Sequence, residues 1–149
     1  MIHFVGAGSG AVDLITIRGA ELLKEADVII YAGSLVNPDL LNYAKDSCEI
    51  YDSAKMTLDE VLEKMFEAEK ENKMTVRLHT GDSSIYGAIR EQMDRLDEEG
   101  ISYDVCPGVS SFCGAAAALK AEYTLPALIR AVTLLKVSIR DSATGNLSS

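Results

Sequence analysis

A chain of 149 residues that is 48 % hydrophobic and 25 % charged has the size and make-up of one soluble globular domain with a real core. Its net charge of −9 argues against a nucleic-acid or anionic-membrane surface, since either partner calls for a basic patch. No apolar run reaches the roughly 20 residues of a membrane span, and the opening MIHFVGAG has neither a basic region nor a signal-like apolar core, which reads as a cytoplasmic protein.

The first predicted strand, Ile2–Val5, runs into a glycine-rich turn at Gly6–Gly10, and a helix begins late, near Thr16. Strands follow at Val28–Tyr31 and Glu49–Tyr51. Thr57 with Glu60 three residues on forms a capping box, and Leu58, Val61, Leu62 and Met65 then recur at helical spacing, with Asp59, Glu63, Glu67 and Lys70 left for the wet face. The next strand, Thr75–Leu78, ends in the polar turn His79-Thr80-Gly81-Asp82-Ser83. A helical pattern covers residues 85–99 through Ile85, Ile89, Met93 and Leu96, and Gly100 suits its C-terminal cap. The last strand, Tyr103–Cys106, leads to a third turn, Pro107-Gly108-Val109-Ser110-Ser111-Phe112. Cys113–Leu119, CGAAAAL, then reads as a tightly packed helix of small side chains.

Strands alternating with helices, and strands that are near-continuously apolar, predict an α/β fold: a mostly parallel open sheet with helices on both faces. After Pro126 the pattern loosens. Residues 127–149 carry Arg130, Lys136 and Arg140 against Asp141, a net +2 that leaves −11 on the first 126 residues. Ala127–Ile139 reads as one more apolar element and Asp141–Ser149 as a frayed terminus.

Cys48, Cys106 and Cys113 make an odd count without a CxxC pair, which points to a reducing compartment and to buried or half-buried structural thiols. With only His3 and His79 to join them, no metal-ligand spacing arises and no metal is expected.

All three turns lie at the carboxyl ends of strands, the edge where open α/β sheets bind ligands. Gly6, Gly8 and Ala11 satisfy a loose G-x-G-x-x-A dinucleotide fingerprint. That fingerprint needs a carboxylate at the end of the second strand, where this chain has Tyr31-Ala32-Gly33-Ser34. A purely structural glycine turn is the bland alternative. In the second turn Gly81 permits unusual backbone angles, and Thr80, Asp82 and Ser83 offer polar groups suited to a zwitterionic or ribose-bearing ligand. Ile85 and Tyr86 supply a flat apolar wall at the start of the next helix. Asp82 or Ser83 serves equally as a helix N-cap, as do Ser110 and Ser111 in the third turn, and capping is compatible with ligand contact.

Together these turns resemble the tetrapyrrole methylase family, which transfers methyl groups from S-adenosylmethionine to porphyrin-like rings. The opening VGAGSGAVDLITIRGAELLKEADVIIYAGSLV is similar to the family's N-terminal signature, HTGDSSIYGAIREQMDRL to the central loop of its precorrin-4 C-11 methyltransferases, and PGVSSF to its third loop. The resemblance runs from about Ile2 to Pro126. It implies S-adenosylmethionine as cofactor, held in a cleft by Thr80, Gly81, Asp82, Ile85, Ser110 and Ser111. It also implies a tetrapyrrole trough bordered by Gly6, Gly8, Ser9 and Gly10, with Tyr86 placed beside it. The implied reaction is methyl transfer to C-11 of precorrin-4, or of its cobalt form, in cobalamin biosynthesis. The partner is then the small-molecule tetrapyrrole, with no nucleic acid or membrane involved, and the assembly is a homodimer if the fold is complete. No residue is assigned as a catalytic group, because in-line methyl displacement rests on positioning.

The chain departs from the family pattern in three places. Ser9 and Ser83 stand where the family has proline, which fixes φ and preorganises such loops. Members also continue into a second domain that completes the cleft. The expected organisation is therefore an N-terminal methylase domain over residues 1–126 and an atypical tail over 127–149, either the start of a second domain or disordered. The first expectation is methyl transfer open to impairment by truncation, and a non-catalytic fragment or a binding module retaining part of the pocket is the alternative.

Overall fold

The computed structural model describes residues 1–124 and 132–134 of the chain. Five strands, β1 (Ile2–Gly6), β2 (Val28–Tyr31), β3 (Glu49–Asp52), β4 (Thr75–His79) and β5 (Tyr103–Cys106), form one sheet in the order β3-β2-β4-β1-β5. Every pairing is parallel. Each predicted strand is present, and none extends more than one residue past its expected end.

Among the described residues, four α-helices, α1 (Ile17–Glu25), α2 (Leu58–Lys70), α3 (Ile89–Glu98) and α4 (Ser111–Leu119), accompany the sheet. Strand alternation divides its side chains between two cores. Val5, Ile29, Val76 and Leu78 pack with Leu23 and Ala26 around α1. On the other face Ile2, Phe4, Val28 and Ile30 pack with Val61, Leu62 and Met65 of α2 and Ile89 and Leu96 of α3. Phe4, Ile2, Leu23, Leu62 and Leu96 are all fully buried, and each such side chain contributes about 1.5–3 kcal/mol over remaining exposed. Helices thus cover both faces, as the apolar strands require. Only the edge strands β3 and β5 leave residues open to solvent.

The order of the strands sets the location of a crevice. From β1 the chain leaves towards β2, and from the adjacent β4 it leaves in the opposite direction, over β1, to β5. The loops after β1 and β4 therefore part at a switch point, and the gap between them opens at the carboxyl ends of both strands.

Local signals explain the helix ends. Thr16 caps α1 by accepting from the Gly19 N–H at 3.0 Å. Thr57 and Glu60 form the expected capping box of α2. Past α3, Gly100 takes φ +65°, and the Gly100 and Ile101 amides donate to the Asp97 and Leu96 carbonyls at 3.1 and 2.9 Å, which closes a Schellman motif.

Three expectations are corrected. The helix predicted over 85–99 begins at Ile89, so Ile85 and Tyr86 belong to the preceding turn. Asp82 draws the Ser84 amide to its side chain and the Ile85 amide to its carbonyl, and Tyr86 and Ala88 take left-handed φ of 55° and 51° that no helix accommodates. The alanine-rich α4 has no buried residue. Its Gly114 approaches the first turn closely: a Cβ there would stand 2.6 Å from that of Ser9. Cys113 on α4 is accordingly exposed, whereas Cys106 is buried and Cys48 half-buried. The element predicted at Ala127–Ile139 and the terminus Asp141–Ser149 lie outside the described residues, three positions apart from them excepted. Among the described residues, no helix is long and apolar enough to cross a membrane.

Candidate functional site

The three glycine turns meet at the crevice. The Gly8 amide donates to the Gly81 carbonyl at 3.1 Å, and the Gly81 amide returns the bond to Gly8 at 3.0 Å, forming an antiparallel bridge between the first two turns. The third turn closes on both: a Cβ at Gly108 would lie 2.2 Å from the Gly81 carbonyl oxygen and 2.8 Å from the Gly6 Cα. No side chain fits at that junction. Glycine is required by space at Gly108 and by a φ of +62° at Gly81.

Asp82 fastens the second turn to the third. One carboxylate oxygen accepts from the Gly108 amide at 2.8 Å, and the other accepts from the Ser84 amide at 2.9 Å and from the Ser84 hydroxyl. Burial acts to raise its pKa, but these hydrogen bonds outweigh it and hold the carboxyl below its ordinary value. Asp82 is therefore an ionised clasp between loops, capping a turn rather than the helix.

Beside this junction lies a cavity of 400 Å³, within the range of small-molecule sites. Thr80, Gly81, Asp82, Ile85, Ser110 and Ser111 all line it, so the second and third turns converge on one space. Tyr86, 60 % exposed, lines it too and stands apart from Gly6, Gly8, Ser9 and Gly10, which do not. Ser110 occupies the N-cap position of α4, yet its side chain makes no capping bond.

Arg77 and Gln92, which the sequence motifs do not mark, also line the cavity, together with His79 from the head of the second turn. The signal for Arg77 lies in the run TVRLH, whose period-2 alternation sets Thr75, Arg77 and His79 on one face of an otherwise apolar strand. All three are buried, with Arg77 only 7 % and His79 4 % exposed. The Arg77 Nε donates to Gln92 Oε1 at 3.2 Å and Nη1 donates to the Ile30 carbonyl at 3.1 Å. Burial lowers the Arg77 pKa to about 10, which leaves it a cation at neutral pH. His79 stacks on Phe4 with ring centroids 6.3 Å apart, and burial together with the Arg77 charge lowers its pKa to about 3. It is neutral under ordinary conditions. Among the described residues, two polar atoms that line the cavity, His79 Nε2 and Thr80 Oγ1, are buried without a hydrogen-bond partner. Unpaired polar atoms clustered at one cavity call for an explanation, and a polar ligand would supply their partners.

The dinucleotide alternative gains nothing here. Between Ala11 and α1 stand a short 3-10 turn at Val12–Leu14 and the Thr16 cap, so the helix N-terminus is set well away from the fingerprint glycines. Among the described residues, no cluster of His, Cys, Asp and Glu side chains is arranged to hold a metal ion.

The family model of the tetrapyrrole (corrin/porphyrin) methylases matches residues 1–148. The match takes in residues 127–148, which the motif reading leaves outside the resemblance. The chain is 54 % identical over 135 residues to the cobalt-precorrin-4 C(11)-methyltransferase of Methanocaldococcus jannaschii, an alignment covering 91 % of this chain and 52 % of that protein. Its fold is similar to the X-ray structure of cobalt precorrin-4 methyltransferase, a cobalamin biosynthetic enzyme, with a TM-score of 0.82 and 47 % identity over 84 % of this chain and 52 % of that one. It is also similar to uroporphyrin-III C-methyltransferase from Thermus thermophilus in complex with S-adenosylhomocysteine, with a TM-score of 0.71 and 28 % identity over 85 % of this chain and 54 % of that one. The chain thus spans about half the length of the relatives it matches.

Proposed function

This chain belongs to the tetrapyrrole (corrin/porphyrin) methylase family, and on that premise we propose that it serves S-adenosylmethionine-dependent methyl transfer to C-11 of precorrin-4 or its cobalt form in cobalamin biosynthesis. The observation that carries this reading is the convergence of Thr80, Gly81, Asp82, Ile85, Ser110 and Ser111 on one cavity at the switch point of the sheet. The cavity also fits an adenosyl amino acid chemically: the Thr80 hydroxyl awaits a partner, Gly81 lets the backbone approach closely, and Ile85 and Tyr86 provide apolar wall.

When bound, S-adenosylmethionine supplies an electrophilic methyl group on sulfur. The chain's part is then to bind, orient and exclude water. Ile85 and Tyr86 cover apolar surface, while Thr80, Ser110 and Ser111 offer hydroxyls to the polar parts of the ligand. Asp82 holds the second and third turns in register, and its two oxygens are committed to Ser84 and Gly108. With a lowered pKa it is no base at neutral pH. Nor is His79, which burial and Arg77 keep neutral and weakly basic. Gly6, Gly8, Ser9 and Gly10 would border the tetrapyrrole trough, and the exposed Tyr86 suits a wall shared by trough and cavity. Catalysis here rests on orientation.

The test is incubation of the purified chain with S-adenosylmethionine and cobalt-precorrin-4, read by mass spectrometry alongside calorimetric titration of S-adenosylhomocysteine. A singly methylated tetrapyrrole and saturable binding are expected. A folded chain that binds no S-adenosylhomocysteine would overturn the reading.

A further inference from the structure

The face of β4 that carries Thr75, Arg77 and His79 is a buried polar stripe in the layer beneath α2 and α3. Arg77 is a buried cation, and among the described residues no carboxylate pairs with it; burial alone accounts for its altered pKa. Such an isolated charge is costly inside a protein and is normally paired. Its Nε and Nη1 have each found one acceptor, Gln92 and Ile30, out of the five donors a guanidinium carries. Two residues on, His79 holds a buried Nε2 without a partner. Asp82 lines the same cavity but is engaged by Gly108 and Ser84, so it does not neutralise Arg77. The floor of the cavity is thus cationic and donor-rich, under walls that are largely uncharged.

We propose that Arg77 and His79 form a carboxylate-binding subsite at the floor of this cavity, an inference that rests on the cavity being the site of methyl transfer. A ligand carboxylate supplies the missing negative charge to Arg77 and an acceptor for a neutral His79 carrying its proton on Nε2. Gln92 and the Ile30 carbonyl hold the guanidinium in place from the side. Two ligands of the proposed reaction carry the chemistry: the amino-acid end of the cofactor and the acid side arms of the tetrapyrrole.

The experiment titrates three probes into the full 149-residue chain and into Arg77→Met: S-adenosylhomocysteine, its decarboxylated analogue and uroporphyrin III. If the cofactor is the source, the wild-type chain binds S-adenosylhomocysteine about tenfold or more tighter than the decarboxylated compound, and Arg77→Met abolishes that preference without weakening the analogue. If the tetrapyrrole is the source, Arg77→Met lowers uroporphyrin affinity by a similar factor and leaves both adenosyl compounds unchanged. Equal losses for all three probes, or none, would make Arg77 a structural residue and overturn the subsite. Should Arg77→Met not fold, Arg77→Gln takes its place with the same expected losses, and Arg77→Lys retains part of the preference if charge is what matters. A wild-type chain that binds neither adenosyl compound rejects the methyltransferase reading, and the uroporphyrin comparison alone then decides the subsite.

Discussion

His79 shows how one buried residue ties stability to pH. Its folded pKa is near 3, depressed by burial and by Arg77, against about 6.5 in an unfolded chain. Between those values the unfolded state binds a proton that the folded state refuses, so stability falls as the pH drops below about 6.5. The slope approaches, but does not exceed, about 1.4 kcal/mol per pH unit. Thermal unfolding followed from pH 7 to pH 4 is expected to show that decline, and His79→Gln to flatten it; an unchanged profile in the variant would locate the acid sensitivity elsewhere. Ser83 makes a second case. It is 1 % exposed with its hydroxyl unpartnered, its φ is not in the left-handed region, and its amide makes no backbone hydrogen bond among those described. Ser83→Pro is therefore expected to raise stability by about 0.4–1 kcal/mol through the unfolded state, read by denaturant unfolding. A loss of similar size would mean that the turn needs angles proline lacks.

At the scale of elements, α2 and α3 differ in what starts them. The capping box of α2 satisfies amides that the helix cannot, with the Thr57 amide donating to Glu60 Oε2 at 2.6 Å and the Glu60 amide to Thr57 Oγ1 at 3.3 Å. Thr57→Ala should cost about 1 kcal/mol of stability in urea unfolding without changing affinity for S-adenosylhomocysteine, because α2 lies away from the cavity. No side chain caps α3; its N-cap residue is Ala88, itself left-handed. The apolar spacing of Ile85 and Ile89 suggests a continuous helix, but periodicity reports only which residues face inward. It is silent on the turn at Asp82 that diverts the backbone. For the same reason CGAAAAL suggests tight packing, while none of the α4 alanines is buried.

For the molecule as a whole, the decisive contact is the junction of Gly6, Gly81 and Gly108, where three turns far apart in sequence share a space without room for one methyl group. Gly108→Ala must drive the third turn away from the second, since the added carbon would sit 2.2 Å from a backbone oxygen rather than from a yielding side chain. The variant is expected to lose about 2 kcal/mol or more of stability, in the range of overpacked sites, and to lose most affinity for S-adenosylhomocysteine. Retained affinity would show that the cavity tolerates separate movement of its loops.

The strands, the α2 cap and the glycine turns were legible in the sequence because each depends on neighbours within a few residues: short apolar runs for strands, three-residue reciprocity for the cap, φ for glycine; the parallel arrangement was legible in the order in which strands and helices alternate. The motifs around Thr80-Gly81-Asp82 and Ser110-Ser111 likewise marked the residues that line one cavity. Long-range geometry decided the rest. Only the strand order brings β4 beside β1 and lets Asp82 reach Gly108. Only burial beneath α3 turns Arg77 and His79 from two polar letters in an apolar strand into a cation and a neutral imidazole at a cavity floor. A side chain's charge state and its partners depend on what the fold places around it, and that is a property of the tertiary structure.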